Sequence, residues 1–166
     1  MIKVFVWNRR GVGSNRFLRV YKEYRRKYRP SIVILVEPKI SGTRAEDVIK
    51  ELGFDQNLVL DAVGFAGGIW VVWDSSLVTI TEVDRASQFL HVRVRYGQVQ
   101  WLLTAIYASP ALVQRRDLWN SIRDLAEGIT EPWMLAGDFN SILQPADKLG
   151  GAPFDAARAR DFRIAC

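Results

Sequence analysis

The alternation of short apolar runs with one amphipathic segment over the first 37 residues constrains the fold most. Residues 2–7 form a β-branched and aromatic run, which predicts a buried strand ending at Asn8. From Ser14, a favourable helix N-cap, apolar residues recur at helical spacing as far as Pro30. Residues 32–36 are a second, fully apolar strand. A strand, a helix and a strand in this order indicate a sheet with helical cover.

The predicted helix has two different faces. Its apolar stripe is expected to pack inward and comprises Phe17, Val20, Tyr21, Tyr24 and Tyr28. The cations fall mostly on the other face: Arg16, Arg19, Lys22, Arg25, Arg26 and Lys27. The basic face is therefore expected to be exposed.

The remaining chain predicts a helix, a group of strands and two further helices. Residues 43–52 favour a helix capped by Thr43 and closed by Gly53. A meander of hairpins is expected next, with strands near 55–61, 68–73, 78–84, 88–95 and 99–106. A helix over 111–129 and a buried strand over 133–136 follow, and helical signals return near Asp155. With no repeat or linker in the sequence, residues 1–166 are interpreted as one domain.

Composition excludes several classes of protein. One His and one Cys cannot build a zinc finger, a disulfide framework or a site that needs two imidazoles. No run of apolar residues reaches the length of a membrane span. Charged residues interrupt the first apolar run before it is long enough for a signal peptide. A soluble, intracellular protein is expected.

The positive charge is concentrated near the start of the chain. Residues 1–30 hold ten Lys or Arg against Glu23 alone, whereas the other residues hold 13 basic and 17 acidic groups. This distribution favours a polyanion such as nucleic acid at the N-terminal end, held by phosphate contacts. A solvated helix face remains the alternative.

Polar residues follow three of the predicted strands: Asn8, Glu37 and Asp138. Ligand sites gather at strand ends in α/β sheets, so these side chains are expected to converge. Asp138 and Asn140 are two residues apart and would point the same way in extended backbone. Alternatively, Asp and Asn simply end strands as turn formers.

Glu37 is harder to explain as a turn residue, because a carboxylate next to a buried strand is costly unless it is paired or bound to a metal. A hard cation such as Mg²⁺ suits oxygen ligands and needs no His. The sequence is thus compatible with metal-assisted hydrolysis of a phosphoester.

Five ordered motifs resemble the endonuclease/exonuclease/phosphatase superfamily: WNRRG at 7–11, LVEPK at 35–39, GGIW at 67–70, IYASP at 106–110 and GDFN at 137–140. More narrowly, PW at 132–133 and KLGG at 148–151 resemble the endonuclease domain of plant LINE-type non-LTR retrotransposons, which is similar to apurinic/apyrimidinic endonucleases.

The resemblance implies a four-layer α/β sandwich with two mostly antiparallel central sheets. It also implies a site for Mg²⁺ or Mn²⁺. In this site Glu37 would be the main metal ligand, and Asn8 would contact the metal or the phosphate. Tyr107 would bind the scissile phosphate, Asp138 would orient or deprotonate the attacking water, and Asn140 would hold Asp138 and the phosphate. DNA would be the partner, with Arg9, Arg10, Arg16 and Arg19 as candidate contacts, and the location would be nuclear.

The sequence departs from the family in two respects. Arg10 stands where some relatives have an acidic residue. The terminal Ser-Asp-His motif of the family is absent, and His91 cannot replace its His because it precedes Tyr107 and Asp138. We therefore expect a C-terminally truncated DNA-nicking endonuclease of retroelement origin whose activity is lost or severely impaired. An inactive remnant that binds nucleic acid and a phosphatase of the same fold are the alternatives.

Overall fold

The computed structural model of the chain describes residues 1–9, 11–62, 67–147, 149–150 and 153–165. The chain divides into two compact units. The first comprises Met1–Tyr107 and Glu131–Asp138, and the second comprises Ala108–Thr130 and Phe139–Cys166.

The first unit contains eight strands and two helices among its described residues. The strands are β1 (Val4–Asn8), β2 (Ile32–Val36), β3 (Gln56–Leu60), β4 (Ile69–Trp73), β5 (Thr79–Ala86), β6 (Phe89–Tyr96), β7 (Val99–Tyr107) and β8 (Trp133–Asp138). The helices are α1 (Asn15–Tyr28) and α2 (Gly42–Leu52).

The strands form two four-stranded sheets, each with one parallel pair at its edge. The first sheet has the order β1-β2-β4-β3, and only β1 and β2 are parallel. The second has the order β5-β6-β7-β8, and only β7 and β8 are parallel. The predicted mixed α/β fold with two mostly antiparallel sheets is confirmed. The predicted meander, however, is divided, because β3 and β4 belong to one sheet and β5 to β7 to the other.

The hydrophobic core of the first unit lies on both faces of β2. Alternate residues of β2 and β4 pack against the second sheet, in a cluster that includes Ile34, Val71, Leu90 and Leu103. The other residues of the two strands pack under α1 and α2. Because both faces are covered, all five residues of β2 are buried, as their uninterrupted apolar run predicts.

Helix α1 begins as predicted but buries less of its stripe. The Ser14 Oγ accepts a hydrogen bond from the Phe17 N–H at 3.2 Å, which caps the helix. Tyr21 is buried, whereas Tyr24 and Tyr28 are each 40% exposed. The Tyr24 ring packs inward as predicted, against Phe5 and Trp7 of β1, and stacks on the Tyr28 ring with centroids 5.8 Å apart.

Helix α2 begins one residue earlier than predicted. Ser41, not Thr43, is its N-cap residue, and the Ser41 side chain forms no capping hydrogen bond. Gly53 closes the helix in the left-handed conformation, as predicted.

The strands β1 and β8 are edge strands, and this corrects their predicted full burial. Each is hydrogen-bonded to one neighbouring strand, β2 and β7 respectively. Val6 and Asn8 in β1 are exposed, and every residue of β8 is partly exposed. An apolar run therefore predicts these strands without revealing their edge position.

The second unit contains α3 (Leu112–Ala126) and α4 (Ala156–Ala165), which pack on each other. Trp119 of α3 stacks on Phe162 of α4 at 5.0 Å, and Phe139 joins this cluster. Both helices match sequence predictions. Across the part of the chain that the structure describes, no helix combines the length and apolar character needed to cross a membrane.

Candidate active site

Two parallel strand pairs, one from each sheet, end in the polar residues singled out by the sequence. In the first sheet Asn8 lies opposite Val36, the residue before Glu37. In the second sheet Tyr107 lies opposite Asp138. The strands β1 and β8 lie against each other. The carboxyl ends of four strands therefore meet in the first unit; we call Asn8, Glu37, Tyr107 and Asp138 the strand-end cluster.

Asn8 and Asp138 are in direct contact. The Asn8 side-chain amide donates a hydrogen bond to the Asp138 Oδ2 at 2.5 Å. The two residues are 130 positions apart in sequence. This bond links the two sheets and orients the Asp138 carboxylate.

Glu37 is held in an unusual backbone conformation. Its φ is 57°, in the left-handed region that residues other than glycine rarely adopt. Its N–H donates to the Gly68 carbonyl oxygen at 3.2 Å, and its own carbonyl oxygen accepts from the Gly11 N–H at 3.0 Å. Such a conformation persists only where the surroundings hold it, and strained residues of this kind cluster at functional sites.

The Glu37 side chain is buried and hydrogen-bonded. It is 8% exposed, and the Tyr107 hydroxyl donates to its Oε1 at 2.5 Å. A hydrogen bond of this kind offsets part of the cost of burying a carboxylate. The structure therefore presents Glu37 as a positioned acidic group.

Gly68 gives the Glu37 loop room to approach β4. Its φ is 89°, and a Cβ at this position would lie 3.0 Å from the Pro38 Cγ. A larger residue would press on Pro38 and strain the backbone. The loop that follows Glu37 thus depends on glycine in the segment before β4.

Gly137 has the same importance for Asp138. Its φ is 151°, and a Cβ here would lie 1.9 Å from the Ile106 carbonyl oxygen. No side chain can occupy that space without separating β8 from β7. Gly137 therefore allows the close approach that places Asp138 opposite Tyr107.

The predicted partner of Asp138, Asn140, lies in the second unit. The strand ends at Asp138, and Asn140 has a left-handed φ of 44°, so the extended backbone expected for this pair is absent. The Asn140 side-chain amide donates to the Ala108 carbonyl oxygen at 2.7 Å. A sequence pattern could not reveal this turn, because Asp and Asn are compatible with both conformations.

The predicted nucleic-acid contacts lie in different places. Arg9 directly follows Asn8 of the strand-end cluster, and the Arg9 Nε is buried with no hydrogen-bond partner. Arg16 and Arg19 are exposed on α1. Arg10 lies outside the described residues, as do Lys148 and Gly151 of the KLGG motif. Arg9 is thus the described cation that directly adjoins the cluster in sequence.

The one His of the chain is not a member of the cluster and is buried in β6. His91 is 2% exposed, and its Nδ1 lies 2.8 Å from the Thr104 Oγ1. Thr104 also accepts a hydrogen bond from the Trp133 indole N–H at 2.7 Å. Burial lowers the pKa of His91, an effect that Asp84 opposes and Arg93 increases. This imidazole is therefore a buried group whose proton is held less tightly than in water.

The cluster suits a hard cation by its chemistry. Glu37 and Asp138 supply carboxylate oxygens, and Asn8 supplies an amide oxygen. Mg²⁺ binds proteins through one or two carboxylates and completes its coordination with water and phosphate oxygens. Within the described ranges, no three His, Cys, Asp or Glu side chains are grouped closely enough to hold a metal. The donor set thus fits Mg²⁺ and not an all-protein metal cage.

The sequence did not reveal the contact between Tyr107 and Glu37. Both residues end strands that are predictable from apolar runs, but they belong to different sheets and are 70 positions apart. The only available signal was that each polar side chain directly follows, or ends, such a run.

Comparisons with known proteins show the fold. No family model and no curated protein sequence matches the chain. Among solved structures, an AP endonuclease from Archaeoglobus fulgidus has a TM-score of 0.70 at 13% identity, over 99% of this chain and 70% of that one. The AP endonuclease LMAP from Leishmania major has a TM-score of 0.68 at 14% identity, over 99% and 65%.

A further similar structure is D. rerio TDP2 complexed with a single-strand DNA product. The TM-score is 0.62 at 16% identity, over 85% of this chain and 61% of that one. The chain thus spans slightly less than two thirds of LMAP and TDP2. It shares the mixed α/β fold of these solved structures.

Proposed function

We propose that the chain is a Mg²⁺-dependent phosphodiester hydrolase that nicks DNA and derives from a retroelement. The strand-end cluster is the observation on which the proposal depends: a buried, strained Glu37 and an oriented Asp138 share one end of two sheets. The likeness in fold to AP endonucleases and to TDP2 supports hydrolysis of a phosphodiester. The five ordered motifs support the retroelement origin, and a nuclear location follows from that origin.

Glu37 and Asn8 are the residues that would hold the metal. When bound, Mg²⁺, or Mn²⁺ in its place, polarises a phosphoryl oxygen and neutralises charge on the leaving oxygen. The single hydroxyl proton of Tyr107 is donated to Glu37 in this structure. When the substrate is present, we expect Tyr107 to donate this proton to the scissile phosphate instead. Arg9 offers a guanidinium whose Nε has no hydrogen-bond partner, a group well suited to a phosphate oxygen.

Asp138 is the proposed general base. Its carboxylate takes a proton from the attacking water, while the Asn8 amide holds it in orientation at 2.5 Å. The GDFN motif supports a phosphate contact for Asn140. The elements that bear these groups are rigid strands or their immediate ends, which favours precise positioning.

Protonation of the leaving oxygen is the step of this mechanism that lacks a histidine general acid. The one His of the chain is buried in β6 and bonded to Thr104, so no imidazole is available as a general acid. Loss of a general acid typically slows a reaction by about 10²–10⁴-fold. We therefore expect slow hydrolysis by this chain.

The same observation favours a second candidate function, nucleic-acid binding without cleavage. The basic N-terminal residues would supply that binding. Those residues favour DNA over a small phosphoester, so the phosphatase alternative has less support.

Plasmid nicking tests the proposal. We expect slow, Mg²⁺-dependent nicking that EDTA stops and that E37Q and D138N each reduce by at least about 100-fold. The matched control is E46Q, which removes an exposed carboxylate of α2. This variant should nick DNA like the unaltered chain.

Three outcomes discriminate among the functions. Nicking that survives both E37Q and D138N contradicts the assigned site. Metal-independent DNA binding without nicking supports the binding function. Hydrolysis of a small aryl phosphate in the absence of nicking supports the phosphatase.

A further inference from the structure

A groove of about 510 Å³ lies at the C-terminal end of α1, within the first unit. We call it the basic groove. Four cations of α1 and its end line it: Lys22, Arg25, Arg26 and Arg29. Phe54 and Leu77 supply apolar surface, and Glu51 and Asp74 are its acidic residues. The lining therefore has a formal excess of positive charge.

The basic groove lies at the opposite end of the first sheet from the strand-end cluster. Pro30 leads into β2 and Asp74 follows β4, and both line the groove. Glu37 follows β2, and Gly68 leads into β4. A strand rises about 3.3 Å per residue, so roughly 20 Å separates Ser31 from Glu37 along β2. The groove is therefore not part of the cluster.

Two of the four cations contact other residues of the groove wall. Arg25 donates to the Gly53 carbonyl oxygen at 2.6 Å, and its guanidinium lies 4.8 Å from the centre of the Phe54 ring. Lys22 pairs with Glu51 at 3.4 Å. A wall that is already ordered lowers the conformational entropy lost when a ligand binds.

The other two cations have no acidic partner among the described residues. Arg26 and Arg29 are exposed, and neither forms an ion pair there. Arg29 also has a left-handed φ of 46°, at the helix-ending position that favours glycine. An arginine in a strained position that suits glycine better points to a function for its guanidinium.

We propose that the basic groove binds the phosphodiester backbone of nucleic acid at a second site, separate from the strand-end cluster. Arg26 and Arg29 pair with phosphate oxygens, and the fixed Arg25 adds positive potential. Duplex DNA advances 3.4 Å per base pair, so the distance along β2 corresponds to roughly six base pairs. This site does not depend on the proposed hydrolysis; it rests on the second candidate function, nucleic-acid binding by the basic N-terminal residues, and gives that function a location.

Fluorescence anisotropy with labelled 20-mers, single-stranded and duplex, tests the site in EDTA, where no cleavage occurs. We expect the double variant R26Q/R29Q of the full chain to bind at least about tenfold more weakly. Loss of two phosphate contacts should also reduce the slope of log K against log salt, by about 1.4 for the single strand and about 1.8 for the duplex. The two probes thus show which form of nucleic acid the groove takes.

R29G separates binding from folding. Because glycine relieves the strained φ, we expect the variant to unfold at a higher urea concentration than the unaltered chain while it binds DNA more weakly. A purely structural role for Arg29 would not produce opposite changes. K50Q, which removes a cation of α2 that does not line the groove, should change neither quantity.

Several results would overturn the proposal. One is unaltered affinity and salt slope in R26Q/R29Q. Another is that polyglutamate of equal charge binds the chain as tightly as DNA does and binds R26Q/R29Q more weakly. That result would favour an acidic protein segment as the ligand of the groove. Anisotropy is measured in EDTA and nicking in Mg²⁺, so the basic groove and the proposed hydrolysis can fail independently.

Discussion

His91 illustrates how a single residue can couple the fold to pH. The Trp133 indole donates to Thr104, and the Thr104 hydroxyl faces the His91 Nδ1. This arrangement fits a neutral imidazole that accepts at Nδ1. The His91 and Trp133 rings meet edge to face, with centroids 5.8 Å apart. The chain thus uses its one His to fill a polar position between two strands.

We expect the stability of the protein to decrease as the pH falls below about 6.5. Burial lowers the pKa of His91 from its usual 6.5, so the unfolded chain binds a proton that the folded chain does not. This contribution is fully present above 6.5 and is lost as the pH falls through the folded-state pKa. Urea unfolding between pH 5 and 7.5 measures it, and H91Q should flatten the dependence.

A second variant provides the control for this pH effect. The Asp84 charge opposes the lowering of the His91 pKa. D84N should therefore make the loss of stability with falling pH steeper. Identical pH profiles for H91Q, D84N and the unaltered chain would contradict the role assigned to His91.

At the scale of the element, helix α1 depends on its cap more than α2 does. Ser14 accepts a hydrogen bond from the Phe17 N–H, whereas Ser41 forms no side-chain capping bond. We expect S14A to lower the free energy of unfolding by about 1 kcal/mol. S41A should change it by less than about 0.5 kcal/mol. Equal effects in urea unfolding would show that the Ser14 bond contributes nothing.

Strand β8 depends on Gly137 for its pairing with β7. A Cβ there would overlap the Ile106 carbonyl oxygen. We expect G137A to lower the free energy of unfolding by at least about 2 kcal/mol, through steric overlap and a strained φ. G128A is the matched control, since a Cβ at Gly128 meets no atom within 4 Å. A stable G137A protein, measured by urea unfolding, would contradict this account.

The two edge strands show how far the sequence predicts the elements. Residues 32–36 predict β2 well, because an apolar run covered on both faces needs no information beyond itself. The run that forms β1 predicts a strand but not its exposure, since the sheet order depends on β4, more than 60 residues later. The turn at Asn140 and the cap at Ser41 were likewise decided by backbone geometry and not by residue type.

The candidate site, like the strands, could be predicted from the sequence only in part. The polar strand ends at Asn8, Glu37 and Asp138 could be selected from the sequence, because the ends of parallel strands converge. Their partners could not be selected, since Asn8 with Asp138 and Glu37 with Tyr107 depend on how two sheets pack. The roles of these residues in catalysis remain predictions that the nicking experiment tests.

At the scale of the whole molecule, protection from hydrogen exchange should follow the sheet order. Strands β2, β4, β6 and β7 are hydrogen-bonded on both sides, whereas β1, β3, β5 and β8 are edge strands. We expect amides of β2 to exchange at least about tenfold more slowly than those of β1. Hydrogen exchange followed by mass spectrometry of peptides measures this ratio. Equal protection of β1 and β2 would contradict the order of the first sheet.

The separation of 130 positions between Asn8 and Asp138 has a consequence during synthesis on the ribosome. At about 5–20 residues per second, Asp138 is added roughly 6 to 26 seconds after Asn8. Helix α1 and its cations leave the ribosome early in that interval. A nascent or prematurely released chain would thus carry the positive charge of α1 before it could assemble the carboxylates on which cleavage depends.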